Sequence, residues 1–202
     1  STPAVGTTAS IDVTQGGDYE VTITNNNGCI ATATHHLDVS QANTMVADDL
    51  DITNWQNANT LTIPTGTNYG IGDYVYSLDG GAPTTQTVYT DLMGGTHTLD
   101  IIDLNGCATT HLTFTILDYM RFFTPNGDGY NDTWNLLGGN TQPGAQINIF
   151  DRYGKLIAQV DPTGEGWNGL YNGFQMPSTD YWFSIELTDG TVFRSHFSLV
   201  RR

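Results

Sequence analysis

One stretch of this sequence concentrates side chains of the kinds that do chemistry. Residues 122–134 read FFTPNGDGYNDTW and place Asn126, Asp128, Asn131 and Asp132 within seven positions. Pro125 fixes its own φ and biases Thr124 to an extended backbone. Gly127 and Gly129 permit positive φ, and short polar side chains suit tight turns. The stretch therefore reads as a strand, a compact polar loop and a strand resuming at Trp134. Two chemistries are open to the loop. Oxygen donors at alternate positions resemble a short calcium loop, with Asn126, Asp128 and Asp132 giving side chains and Tyr130 a carbonyl. Against that, only two full charges are present and no bidentate Glu follows. The other reading has the Asn and Asp side chains bonding their own backbone as turn caps.

Elsewhere the chemistry is sparse. His35, His36, His97, His111 and His196 show no metal spacing with cysteines or acids. His35 and His36 are adjacent on a strand and so face opposite ways. No serine sits in a nucleophile elbow. No acidic pair is set as a glycosidase needs. The sequence reads as a non-enzyme. Trp55 and Trp167 are the aromatics considered for a sugar platform, with core packing as the competing role for Trp55.

The elements around these residues are strands. Gly is abundant, helix formers are scarce, and no window has the apolar length of a membrane helix. The formal net charge is −15. Residues 1–120 hold thirteen acids and no Lys or Arg; all six bases lie at or after Arg121. Such a field argues against nucleic acid and anionic lipid as partners.

Residues 16–39 align with 94–117 without a gap, at an offset of 78, sharing Gly-Gly, Ile and Asn-Gly-Cys. That period, made of strands, points to tandem immunoglobulin-like sandwiches. Each copy reads as strand, Asn-Gly turn, strand. The expected organisation is the C-terminal part of a repeat over 1–40, a complete repeat over 41–117, and a terminal domain over 118–202. Within the repeat, Leu61-Thr62-Ile63, 74–81 and 87–92 read as strands. In the terminal domain, strands are expected at 119–124, 133–137, 145–151, 155–160, 180–188 and 192–200, with hairpin turns at Tyr153-Gly154 and Asp189-Gly190. Cys29 and Cys107 occupy equivalent places one repeat apart, too far to bridge.

The motif at 122–134 resembles the opening of the gliding-motility-associated C-terminal domain of Bacteroidota, the type B sorting domain of the type IX secretion system. The likeness continues through QINIFDRYGKLI (146–157), GWNGLYNG (166–173) and MPSTDYWFSIEL (176–187), and covers residues 119 to the end. Thr179 and Asp180 depart from that family's usual Gly and Thr. Surface repeats of the preceding kind often carry a second cysteine that pairs with the Asn-Gly-Cys one. Residues 41–106 contain none, so Cys107 is expected as a buried thiol, and any partner of Cys29 lies upstream. The resemblance implies an all-β protein of tandem sandwiches ending in a compact sandwich. It also implies the C-terminal region of a cell-surface adhesin of the SprB type, held at the outer membrane. Its implied partners are the type IX translocon, a PorV-like shuttle and a barrel of the PorP/SprF family. The same tail could serve an extracellular polysaccharide-degrading enzyme, or the domains could bind glycans. The implied recognition surface is Phe122, Phe123, Pro125, Asn126, Asp128, Tyr130 and Trp134, with the basic end Arg194, Arg201 and Arg202. The last strand could also add to a partner's sheet edge. The competing roles are core for Phe123 and Trp134, and solvated charge for the arginines.

Overall fold

The computed structural model describes residues 6–37 and 39–201, in which regular structure is strands and three single 3-10 turns. The strands of the first segment are β1 (Gly17–Thr24) and β2 (Ile30–Leu37). They form an antiparallel hairpin by themselves. Asn25 closes the turn: its Oδ1 accepts from the amides of Asn27 and Cys29, both at 2.9 Å. Among the described residues, nothing packs over the hairpin's apolar side chains. Val21, Ile23 and Ile30 are 55%, 65% and 68% exposed.

The next segment contains β3 (Asp51–Ile52), β4 (Asn59–Thr62), β5 (Tyr74–Leu78), β6 (Val88–Leu92), β7 (Gly95–Asp103) and β8 (Thr109–Ile116). They make two three-stranded sheets, β3-β4-β6 and β5-β7-β8. Leu61 and Ile63 from one side and Leu99, Ile101 and Ile116 from the other close a common core. Alternation explains this: Leu99 and Ile101 point inward, while Asp100 between them and Thr98 before them do not share that burial.

The ladder corrects the ungapped repeat alignment. Val21 pairs with Ala33 in the first hairpin, but its counterpart Leu99 pairs with Leu112. The second strands are therefore equivalent at an offset of 79, not 78. His35 then matches Phe114, and Leu37 matches Ile116. A one-residue slip exchanges the faces of a strand, so the ungapped alignment put the wrong half of β2 on the core side. Cys29 and Cys107 are both free and exposed. Cys107 is thus not the buried thiol expected: it lies in the turn between β7 and β8, outside both strands.

The last segment holds β9 (Asp118–Tyr119), β10 (Phe122–Phe123), β11 (Leu136–Leu137), β12 (Gln146–Phe150), β13 (Leu156–Val160), β14 (Leu170–Tyr171), β15 (Phe174–Gln175), β16 (Thr179–Glu186) and β17 (Val192–Leu199). The main sheet runs β10-β17-β16-β12-β13, with β9-β11 and β14-β15 as separate pairs. Its inner face is aromatic: Phe123, Trp134, Tyr181, Phe183 and Phe197 are all buried. Trp134 stacks on Phe197 at 3.9 Å. Each such side chain contributes about 1.5–3 kcal/mol by burial, so this cluster outweighs any single polar contact in the unit. The expected turns occur at Gly154 and Gly190, both at positive φ. The expected strand 119–124 is broken at Met120 and Arg121, and 133–137 shrinks to β11 plus one bridge from Trp134 to Trp167.

One residue, Leu117, separates β8 from β9. The join is bonded on both sides. Leu117 donates to Asn54 Oδ1 at 2.7 Å and accepts from the Trp55 amide at 2.9 Å. Trp55 stacks on Phe193 at 4.1 Å. Buried Asn59 donates to Asp118 Oδ2 at 3.0 Å, and Asp118 pairs with Arg121 at 2.9 Å.

Candidate functional site

The loop 124–132 is built from its own side chains. Asp132 Oδ1 accepts from the amides of Asn126 (2.9 Å) and Gly127 (2.7 Å), and its Oδ2 accepts from Gly129 (2.7 Å). Asp128 Oδ1 accepts from the Tyr130 amide at 2.8 Å. Asn126 and Asp128 close a second ring: the Asn126 amide group donates to Asp128 Oδ2 at 2.8 Å, and Asn126 Oδ1 accepts from the Asp128 amide at 3.0 Å. At the base, the Thr124 amide donates to the Asn131 carbonyl at 2.7 Å. Gly127 and Gly129 have φ of 80° and 88°, a conformation that strains other residues. The ring-shaped loop pushes Tyr130 into solvent at 79% exposure.

The amides of Gly127 and Gly129 hold the Asp132 carboxyl below the usual carboxylate range; slight desolvation opposes them and the Asn126 amide adds to them. A depressed native value gives a contribution that is complete above the ordinary value of 3.8 and is lost as pH falls through the lower native one. The amide resonances of Gly127 and Gly129 should therefore titrate together in that acid window. Asp132→Asn should abolish the titration. Each of the five side-chain oxygens of Asn126, Asp128 and Asp132 already accepts a hydrogen bond within the loop. Among the described residues, no group of three or more His, Cys, Asp or Glu is placed to hold a metal ion. Calcium coordination by Asn126, Asp128, Tyr130 and Asp132 would have to compete with these bonds. The expected result of adding about 1 mM calcium is an unchanged thermal midpoint; a clear rise would assign the loop to the ion.

The structure divides the remaining site residues. Phe122, Asn126, Asp128, Tyr130 and Arg194 are exposed and Pro125 is half-buried. Phe123 and Trp134 are fully buried and cannot form an exposed recognition feature. Trp134 is fixed further by its indole N–H, which donates to the Met120 carbonyl at 2.6 Å. Arg201 is half-buried and held in place. Its guanidinium donates to three carbonyls, Met176 (3.0 Å), Pro125 (3.2 Å) and Gly169 (2.9 Å), tying the polar loop to two other turns. Arg202 lies outside the described residues. The last strand is not an open edge at its end, because β10 runs parallel to Ser198 and Leu199. Trp55 is stacked at the join and Trp167 is buried, so neither offers a sugar platform.

Sequence reasoning placed Arg201 on the recognition surface and missed the turn it clamps. The signal was GWNG at 166–169. Gly166 has φ 91°, and an added Cβ there would lie 2.5 Å from the Trp134 carbonyl oxygen, so only glycine lets the two tryptophan segments meet.

Residues 117–197 match the family of CHU_C type IX secretion signal domains. No curated protein matches the sequence. Among solved structures, the chain is similar to a biofilm-associated protein BSP domain, with TM-score 0.29 and 11% identity, over 80% of this chain and 29% of that one. It is similar to dimeric latent PorU from Porphyromonas gingivalis, with TM-score 0.27 and 12% identity, over 96% and 25%. It is also similar to the SGBP-B protein of a Bacteroides ovatus mixed-linkage glucan locus, solved with a heptasaccharide, with TM-score 0.24 and 10% identity, over 94% and 54%. The chain thus spans about a quarter to a half of these proteins, and likenesses this low add nothing to the fold. The all-β C-terminal unit, with its polar loop locked by Asp132 and its Trp134 core beneath, is thus the part of the chain that matches the CHU_C type IX secretion signal domains, over residues 117–197.

Proposed function

We propose that this chain is the C-terminal region of a cell-surface adhesin, in which residues 118–202 direct export through the type IX translocon and then dock on outer-membrane proteins. The observation that carries this reading is the family match over 117–197, which makes the protein a secreted one, outside the cell or on its surface. A signal domain of this family is not itself catalytic. No helix among the described residues is long and apolar enough to cross a membrane. Following the family resemblance, retention is assigned to protein partners: a PorV-like shuttle and a PorP/SprF-type barrel. The loop supports the docking role because its backbone is pre-organised by Asp132 and presents Tyr130, the kind of rigid aromatic anchor that interfaces use. The preceding sandwich serves as stalk, and its uncompensated acidity keeps neighbouring copies apart.

The test is a fluorescent protein with a signal peptide, followed by residues 41–202, in a gliding host with and without its translocon. Starting at 41 keeps Trp55 and Asn59, which pack against the terminal unit. Surface delivery should require the translocon. Tyr130→Ala should leave folding intact and lower delivery or retention roughly tenfold. Periplasmic retention in both strains would refute the sorting role.

A further inference from the structure

The outer face of the main sheet carries two rows of side chains, of which the recognition surface read from the sequence includes Arg194 alone. Register places His196, Trp182, Phe150 and Leu156 in one row across four strands. The next row holds Arg194, Ser184, Asn148 and Gln159. These are solvent-side positions, since Tyr181, Phe183, Ile147 and Ile149 between them fill the core. Trp182 is 43% exposed. Unlike Trp134 and Trp167, its indole N–H has no partner among the described residues. Arg194 makes no ion pair among them either. Two depressions of about 580 and 500 Å³ adjoin along this face and share Ser184 and Arg194. One is floored by Trp182, Phe150 and His196, the other by amide side chains and Glu186.

The polar row is arranged as a planar hydrogen-bonding strip. Gln159 Nε2 donates to Gln146 Oε1 at 2.9 Å and Asn148 Oδ1 at 2.8 Å. That fixes the three amides and leaves the N–H groups of Gln146 and Asn148 free to donate. The trough therefore offers an aromatic floor, in which the Trp182 and His196 rings are tilted 35° to each other, a row of fixed amides, and one unpaired guanidinium at the end of that row. A pyranose chain has the complementary parts: an apolar C–H face for an aromatic ring, equatorial hydroxyls for amides, and, in a uronic acid, a carboxylate for a bidentate arginine. Nucleic acid would share the stacking and the anion, but its phosphates need several basic groups along the strand, and Arg194 is the one Lys or Arg among the residues lining the two depressions. We infer that this trough binds an acidic polysaccharide, with Trp182 stacking on a sugar ring and Arg194 pairing with a uronate carboxylate. The inference stands independently of the sorting role.

The test is calorimetric titration of the full chain with hexagalacturonate, and with cellohexaose as the neutral control. Hexagalacturonate should bind the more tightly, and added salt should weaken it. Trp182→Ala should weaken both sugars roughly tenfold. Arg194→Gln should weaken only the acidic one, by a similar factor. Glu186→Gln should strengthen the acidic one, a gain that misfolding cannot imitate. No heat at about 10 mM sugar, equal affinity for the two sugars, or Trp182→Ala without effect would overturn the inference. So would self-association that Trp182→Ala abolishes, since the face would then belong to a second copy of the chain.

Discussion

Trp134→Ala should unfold the terminal unit at growth temperature and stop export. The side chain is fully buried, stacks on Phe197 at 3.9 Å, lies 4.8 Å from Phe183, and donates to the Met120 carbonyl. Truncation of a buried tryptophan costs about 3–5 kcal/mol. The stranded Met120 carbonyl adds about 1–3 kcal/mol more. Domains are stable by only about 5–15 kcal/mol in total. Circular dichroism should show the terminal unit's transition lost or lowered steeply while that of the preceding sandwich persists. Trp134→Phe, which retains stacking but not the donor, should fall between the two. If Trp134→Ala kept its thermal midpoint yet lost export, Trp134 would be a recognition residue after all.

Arg201→Met should have the next largest effect, and it should be local. One guanidinium holds the carbonyls of Pro125, Gly169 and Met176. Removing it leaves three acceptors to find water. With a half-buried donor the loss is about 2–3 kcal/mol. The methionine keeps the stem, so packing is little changed. Limited proteolysis should cut within 124–132 and near Gly169 before anywhere else. Arg201→Lys should rescue only partly, because an ammonium is a point donor and cannot span three carbonyls. A protease pattern identical to that of the native chain would remove Arg201 from the architecture and return it to the surface role.

Local patterns in the sequence were enough for much of this. Asn27-Gly28, Tyr153-Gly154 and Asp189-Gly190 announce their turns because only a few residue types accept those dihedrals. The alternation Leu99, Ile101 announces an inward face. The glycines and short polar residues of 124–132 announce a tight polar loop, while its self-capping emerges only from the hydrogen bonds of Asp132 and Asp128. What stayed hidden depends on distance. Nothing local to Arg201 says that three carbonyls from other segments converge on it. The hairpin β14-β15 hides among Gly and Asn residues that read as loop. The register of β2 hides behind a good ungapped alignment, because one extra residue in the connection between the paired parts of β7 and β8 shifts pairing without altering the motif. The exposed aromatic row is invisible for the same reason: His196, Trp182 and Phe150 lie far apart in the chain, and only pairing lines them up.

The single-residue passage through Leu117 has a mechanical meaning. A flexible joint would let the terminal unit swivel while the chain before it pointed anywhere. Here a twist applied to the terminal unit passes through the Trp55–Phe193 stack and the Asn59–Asp118 bond into the neighbouring sandwich. Whatever grips the last domain therefore sets the heading of the segment that leads into it. Pulling or turning at that grip moves the two as one stiff lever arm, and slack has to come from further up the chain.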